Sequence, residues 1–175
     1  MKQKFKEAYM KTAEVFAELS YAKRLHVGAI IVKDDRIISI GYNGMPAGWD
    51  NNCEERQWMD GDAGGWLDVD DIMDRWPYEE YSDVDPTALV GRYNLKSKPE
   101  VLHAEMNSLM KLAKSTESGN QASIFVTHSP CLECAKGIYQ AGIKEVFYKH
   151  RYRSDSGIEF LKKCNIPVEQ IDYVK

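Results

Sequence analysis

Phe5, Tyr9, Thr12, Phe16 and Leu19 advance by three or four positions, the spacing of one helix face, so residues 4–20 read as an amphipathic helix. The period then changes. VGAIIVK (27–33) and RIISIGY (36–42) are short, mostly apolar and rich in β-branched residues, and the polar Asp34-Asp35 pair between them reads as a hairpin turn. Both runs are apolar throughout, which predicts cover on both faces, as in a sheet flanked by helices. After Pro99 the order resumes. VLHAEMNSLMKLAK (101–114) puts Met106, Leu109, Met110 and Ala113 on one stripe of a helix, and SIFVTH (123–128) reads as a buried strand. CLECAKGIYQAG (131–142) reads as a helix stopped at Gly142, EVFYK (145–149) as a strand and SGIEFLKKC (156–164) as a helix. IPVEQIDYV (166–174) fits no single period. Helix and strand alternate through the second half, which predicts an α/β fold with parallel βαβ units behind an antiparallel hairpin.

Between these parts, residues from about 45 to 100 form a stretch of Gly, Pro and acidic residues that includes all four tryptophans, Trp49, Trp58, Trp66 and Trp76. Four indoles favour burial and argue against a disordered linker. The expectation is an ordered insertion with short helices, covering a site or a subunit contact, within a single domain over 1–175. Thirteen acids lie between Trp49 and Pro86, opposed by Arg56 and Arg75 alone. With a formal charge of −4 over 175 residues, bulk electrostatics offer a long nucleic acid no attraction. A small nucleotide held by a few donors is not excluded.

No apolar run approaches the ~20 residues that span a bilayer, and MKQKFKEAYMK is amphipathic rather than signal-like. Four cysteines (Cys53, Cys131, Cys134 and Cys164) are too few for a disulfide scaffold. A soluble cytoplasmic protein with reduced thiols and no membrane partner is the expectation.

Cys131 and Cys134 open a helix just after a strand and Pro130, and their i, i+3 spacing puts both sulfurs on one face. The unpaired N–H groups and positive dipole end of that terminus favour thiolates. Such a pair is ready to ligate a metal. A redox couple has the same local geometry, but its usual setting is a helix after the first strand of a different topology. His103 and Glu105 decide between these, because they open another predicted helix. One imidazole and two thiolates make a three-ligand zinc site whose fourth position takes water. A carboxylate beside that water can act as its general base and acid. His103-Ala104-Glu105 with Pro130-Cys131-Leu132-Glu133-Cys134 reproduces the H-x-E…P-C-x-x-C signature of zinc deaminases that act on nucleobases. Other candidates are weaker. Cys164 reads as a packed thiol, and His26, His128 and His150 as polar neighbours of strands, with His128 a candidate for the cavity mouth.

AKRLHVGAIIVKDDRIISIGYNGMPAG (22–48), HAEMNSLM (103–110) and THSPCLECAKGIYQAGIKEVFYKHRY (127–152) together resemble the deoxycytidylate (dCMP) deaminases of the cytidine deaminase superfamily. GYNGMPAG (41–48) is the specific part of that resemblance. It implies a three-layer α/β/α fold around a mixed five-stranded sheet. It further implies hydrolytic attack at C4 of cytosine, with Glu105 passing protons to N3 and then to the leaving amine, giving dUMP and ammonia. Asn43 matches a sugar-contacting position, the peptide groups of Ala104 and Ser129 match groups holding the pyrimidine edge, and Tyr152 matches a substrate-contacting tyrosine. Arg24 and Arg153 are candidates for the 5′-phosphate, since a dianion needs charge-assisted donors; each is equally well read as a solvated surface arginine. The resemblance also implies a hexamer activated by dCTP and inhibited by dTTP, and acidic residues of the insertion could organise Mg2+ around such a triphosphate. Cys53 only loosely matches a ligand of a second, structural zinc found in some members. Tyr21-Ala22 and Val101 stand where its partners belong, so that second site is expected to be absent.

Two other classes stay open on the residues alone. One is a deaminase of free nucleoside or of tRNA, although the acidic face disfavours tRNA. The other is a non-catalytic zinc-stabilised binding module, against which stands Glu105, a carboxylate with no structural reason to adjoin the metal.

Overall fold

The computed structural model describes residues 1–58 and 93–173. The Trp66 and Trp76 part of the insertion, where short helices were expected, lies outside these residues. The described elements run α1 (Gln3–Ala17), β1 (Gly28–Lys33), β2 (Arg36–Tyr42), β3 (Glu54–Trp58), β4 (Tyr93–Ser97), α2 (Ala104–Ala113), β5 (Ser123–His128), α3 (Leu132–Gln140), β6 (Glu145–His150), α4 (Ser156–Lys163) and β7 (Val168–Gln170). Met1–Ser20, His26–Gly44 and Leu102–Lys175 form one compact unit, and Tyr21–Leu25 with Met45–Val101 form another.

The larger unit is built on a five-stranded sheet ordered β2-β1-β5-β6-β7. β1 is antiparallel to both β2 and β5, whereas β5, β6 and β7 run parallel. Asp34 and Asp35 both have positive φ (50° and 57°), as a two-residue turn matching strand twist requires. Alternating side chains divide the core into two layers. Ile30, Val32, Phe125 and Phe147 pack with Met10 and Ala13 of α1, and the Phe125 and Phe147 rings stack at 4.6 Å. Ile31, Ile124 and Val146 point the other way, onto Leu109 and Leu112 of α2, Ala135 and Ile138 of α3, and Leu161 of α4. Each of the larger side chains among these contributes about 1.5–3 kcal/mol on burial. The result is the three-layer α/β/α arrangement with a mixed sheet. Among the described residues no helix is long and apolar enough to cross a membrane.

Three local differences from the sequence reading have physical causes. The fully buried stripe of α1 is Met10, Ala13 and Ala17, with Tyr9 and Phe16 of the expected stripe packed at its edge, whereas Phe5 is 42% and Leu19 51% exposed. Small side chains face the sheet because α1 runs close to it, and a Cβ on Gly28 would lie 2.0 Å from the Ala13 carbonyl oxygen. In α2, Leu109 and Leu112 are buried while Met110 is exposed, and the helix starts at Ala104 because Leu102 first bridges to Gly44. In the smaller unit, β3 and β4 pair antiparallel, from Glu54↔Ser97 to Trp58↔Tyr93. EERQW is polar up to its last residue and YNLKS alternates only through Tyr93 and Leu95, too little to announce a strand.

Candidate metal centre

His103 caps α2 and Cys131 caps α3, both with extended backbone (ψ 151° and 170°), so each side chain leaves its helix at the terminus and not along the barrel. Cys134 follows in the first turn of α3. His103 Nδ1 lies 3.5 Å from Cys131 Sγ and 3.4 Å from Cys134 Sγ. The three donor atoms all fall within 4.8 Å of one another. Tetrahedral zinc with Zn–N and Zn–S bonds of about 2.1 and 2.3 Å separates N from S by roughly 3.6 Å, so this donor set fits zinc. It is also the only such group of donors among the described residues.

The charges fit as well. Hydrogen bonds from Cys134 and His103 hold the Cys131 thiol far below its ordinary value, to about 3. Cys131 in turn pushes the Cys134 proton's release far upward, with burial adding to it. A cation bound between the two sulfurs favours the thiolate at both. The His103 imidazole is raised, chiefly by its hydrogen bond with Cys131.

Glu105 sits in the first turn of α2 and is 4% exposed. Burial pushes its carboxyl up to about 7, against opposing contributions from its own backbone N–H, the His103 charge and a hydrogen bond from Cys134. Although Glu105 stands two positions beyond His103, its hydrogen bond with Cys134 turns the carboxyl toward the same cluster as the imidazole. A carboxyl poised near neutrality beside a metal-ligand set suits reversible proton transfer.

The remaining candidates divide. Asn43 is buried and doubly tied to Val27, whose N–H donates to Asn43 Oδ1 at 2.8 Å and whose carbonyl accepts from Asn43 N at 3.0 Å. Asn107 Nδ2 donates to the Tyr42 carbonyl at 2.8 Å, which fixes the Asn43 loop to the helix carrying Glu105. Ser129 N–H donates to the His150 carbonyl at 2.8 Å, so the carbonyl is the end its peptide can still offer. Ala104 is buried at the start of α2. Tyr152 is half-buried, its N–H donates at 2.8 Å to Oγ of Ser129, two residues before Cys131, and its phenol is raised by burial and then by the Cys131 and Glu105 charges. The Arg153 guanidinium lies over the Tyr152 ring at 5.8 Å. Arg24 belongs to the smaller unit, where it reaches Ser97 Oγ at 3.4 Å and its N–H donates to Glu54. Cys53, in the same unit, is buried and its thiol donates to the Asn51 carbonyl at 3.4 Å.

His128 and His150 are register partners at the ends of β5 and β6, with rings 5.1 Å apart. Burial, then the His150 charge, lowers His128 to about 4. A histidine depressed in the fold stabilises it fully above the unfolded value of 6.5, and that stability drains as pH falls through 4. Chelator-treated His128→Asn is therefore expected to lose less stability than wild type between pH 6.5 and 4, by about 2–3 kcal/mol in denaturant melts. Parallel acid profiles would rule this out.

The family model described as the cytidine and deoxycytidylate deaminase zinc-binding region matches residues 3–150. ComE operon protein 2 of Bacillus subtilis is 32% identical over 165 residues, 94% of this chain and 69% of that one. The deoxycytidylate deaminase of enterobacteria phage T4 is 37% identical over 136 residues, 72% of this chain and 67% of that one. Among solved structures, the dCMP deaminase of cyanophage S-TIM5 in complex with dCMP and dUMP superposes with a TM-score of 0.72 at 39% identity, covering 97% of this chain and 98% of that one.

Proposed function

The chain belongs to the cytidine and deoxycytidylate deaminase family, and from that premise we propose that it hydrolyses dCMP to dUMP and ammonia. The carrying observation is the convergence of His103, Cys131 and Cys134 with the buried Glu105 on one point between two helix N-termini. Support for the nucleotide comes from the near full-length likeness to the cyanophage enzyme, whose structure holds both dCMP and dUMP.

His103, Cys131 and Cys134 would hold the zinc. When bound, zinc lowers the pKa of a coordinated water toward neutrality and supplies a nucleophile at C4. Glu105 accepts one proton from the attacking water and delivers it to N3 of the ring. It then takes the remaining proton from the new C4 hydroxyl and passes it to the amine, so that the C4–N bond breaks, C4 becomes a carbonyl and ammonia leaves. Its raised pKa keeps both transfers close to thermoneutral near pH 7. The Ser129 carbonyl accepts from the exocyclic amine, while the Ala104 peptide holds the opposite part of the pyrimidine edge. The Asn43 amide, oriented by Val27, donates to the sugar. Tyr152 lines the substrate beside the cluster, and the Arg153 guanidinium, set over the Tyr152 ring, neutralises the 5′-phosphate.

The same reading makes residues 1–175 a single deaminase domain with an insertion at about 45–100, working in the cytoplasm as a homohexamer. It supplies dUMP for thymidylate synthesis under activation by dCTP and inhibition by dTTP, with Mg2+ accompanying the triphosphate. Ammonia release from dCMP, CMP, dCTP and deoxycytidine tests it. We expect kcat/KM for dCMP to exceed that for deoxycytidine by at least about a hundredfold, the value of the two charge-assisted hydrogen bonds one guanidinium can give a phosphate. Equal turnover of the two overturns the nucleotide assignment, and an unchanged rate with dCTP or dTTP overturns the regulation.

A further inference from the structure

We propose that the Ser129 hydroxyl is a positioning group for Tyr152 and, resting on the deaminase reading above, for the substrate that Tyr152 lines. Ser129 lies between His128, which ends β5, and the ligand Cys131, with only Pro130 intervening. It is 3% exposed. Its two polar groups both reach across to the chain leaving β6. The N–H donates to the His150 carbonyl at 2.8 Å, extending the β5–β6 pairing one step beyond the last strand residues. The hydroxyl oxygen accepts from the Tyr152 N–H, also at 2.8 Å.

That second bond has a consequence for the site. Tyr152 belongs to neither β6 nor α4, and among the described hydrogen bonds this is the one its backbone N–H makes. The segment between strand and helix is otherwise tethered at its surface, by the exposed Arg151–Asp155 pair at 3.3 Å. Exposed pairs of this kind contribute little. A buried acceptor for an N–H is worth more, because without it the donor is stranded in a half-buried setting. The serine therefore ties the position of the tyrosine ring to the loop that carries Cys131. Ring and metal ligand keep a fixed separation because one residue holds both. Proximity to the zinc ligands does not itself require a hydroxyl at 129; the bond to Tyr152 does.

The test compares Ser129→Thr with Ser129→Val, which share one shape and differ in the hydroxyl, in the zinc-loaded full chain, alongside Ser129→Ala. We expect Ser129→Val and Ser129→Ala to raise KM for dCMP about tenfold with kcat within about twofold, and Ser129→Thr to stay within about threefold of wild type in KM. Zinc content should be equal in all of them. Amide exchange at Tyr152 should quicken in the alanine and valine variants only. In a Tyr152→Ala background, removing the hydroxyl should change KM by less than about twofold, because the two residues act as one unit. Equal KM for the threonine and valine variants overturns the inference, as does full additivity with Tyr152→Ala. If wild type does not turn over dCMP at all, the substrate reading fails first and this inference falls with it.

Discussion

Replacing Glu105 by glutamine is expected to lower kcat for dCMP by about 10²–10⁴-fold, the usual contribution of one general acid–base group, while KM and zinc content stay close to wild type. The glutamine is nearly isosteric and keeps an acceptor toward Cys134, so the loss isolates proton transfer. The same substitution should stabilise the chelator-treated protein, and the pH range follows from the sign of the shift. The Glu105 pKa is raised from 4.5 to about 7, so the folded chain holds a proton that the unfolded chain has released. That contribution to stability is complete below pH 4.5 and is lost as pH rises through 7. At pH 8 the wild type thus carries a buried carboxylate at a cost of about 3 kcal/mol, whereas the glutamine variant carries no charge. Denaturant melts at pH 5 and pH 8 should show near-equal stabilities at the lower pH and a clear gain for the variant at the higher. Wild-type turnover in the variant would end the proton-shuttle assignment, and an equal gain at both pH values would end the burial argument. An active-site group that weakens the fold in its working charge state is the usual relation between function and stability.

What was legible in the chain follows from what leaves a periodic or motif trace. The strands of the sheet are apolar on both faces, so VGAIIVK, RIISIGY and SIFVTH stood out as runs, and the Asp34-Asp35 turn was readable from its polarity. His103, Glu105, Cys131 and Cys134 were readable because metal chemistry restricts residue type and because each pair opens a helix. Less visible was any residue whose importance comes from a backbone atom. The Ser129 N–H, the Val27 peptide and the Asn107 amide act on carbonyls or N–H groups brought near by the fold, and a backbone partner leaves no side-chain signature. β3 and β4 leave no trace of this kind because EERQW and YNLKS are too short and too polar in sequence to read as apolar runs. Of the α1 stripe, Tyr9 and Phe16 do reach the core, but its centre falls on Met10, Ala13 and Ala17. Small residues are needed where the helix lies closest to the sheet, and these leave little hydrophobic trace.

Two glycines show the same blindness with larger consequences. Gly157, in the first turn of α4, is expected to tolerate no side chain, and Gly157→Ala should lose most of its zinc and at least about a hundredfold in activity, the scale of a 1 Å misplacement of catalytic groups. A Cβ there would sit 2.0 Å from the Pro130 carbonyl oxygen and 2.8 Å from that of Cys131, and both obstacles are backbone. Either α4 withdraws or the ligand-bearing turn is pushed away from His103. Gly41 does the same for the other half of the site. Its Cβ would lie 2.2 Å from the Ala104 carbonyl oxygen and 2.5 Å from Ser108 N, in the helix that carries His103 and Glu105. Gly137 supplies the contrast. Its Cβ would meet the Met106 sulfur at 2.9 Å, and a flexible thioether can turn aside. Alanine at 137 also gains about 1 kcal/mol of helix propensity, so Gly137→Ala should keep its zinc and its activity. Zinc per chain by atomic emission, read beside thermal melts, separates displacement of the site from general unfolding. Full zinc occupancy in Gly157→Ala would show that α4, rather than the Cys131 turn, gives way.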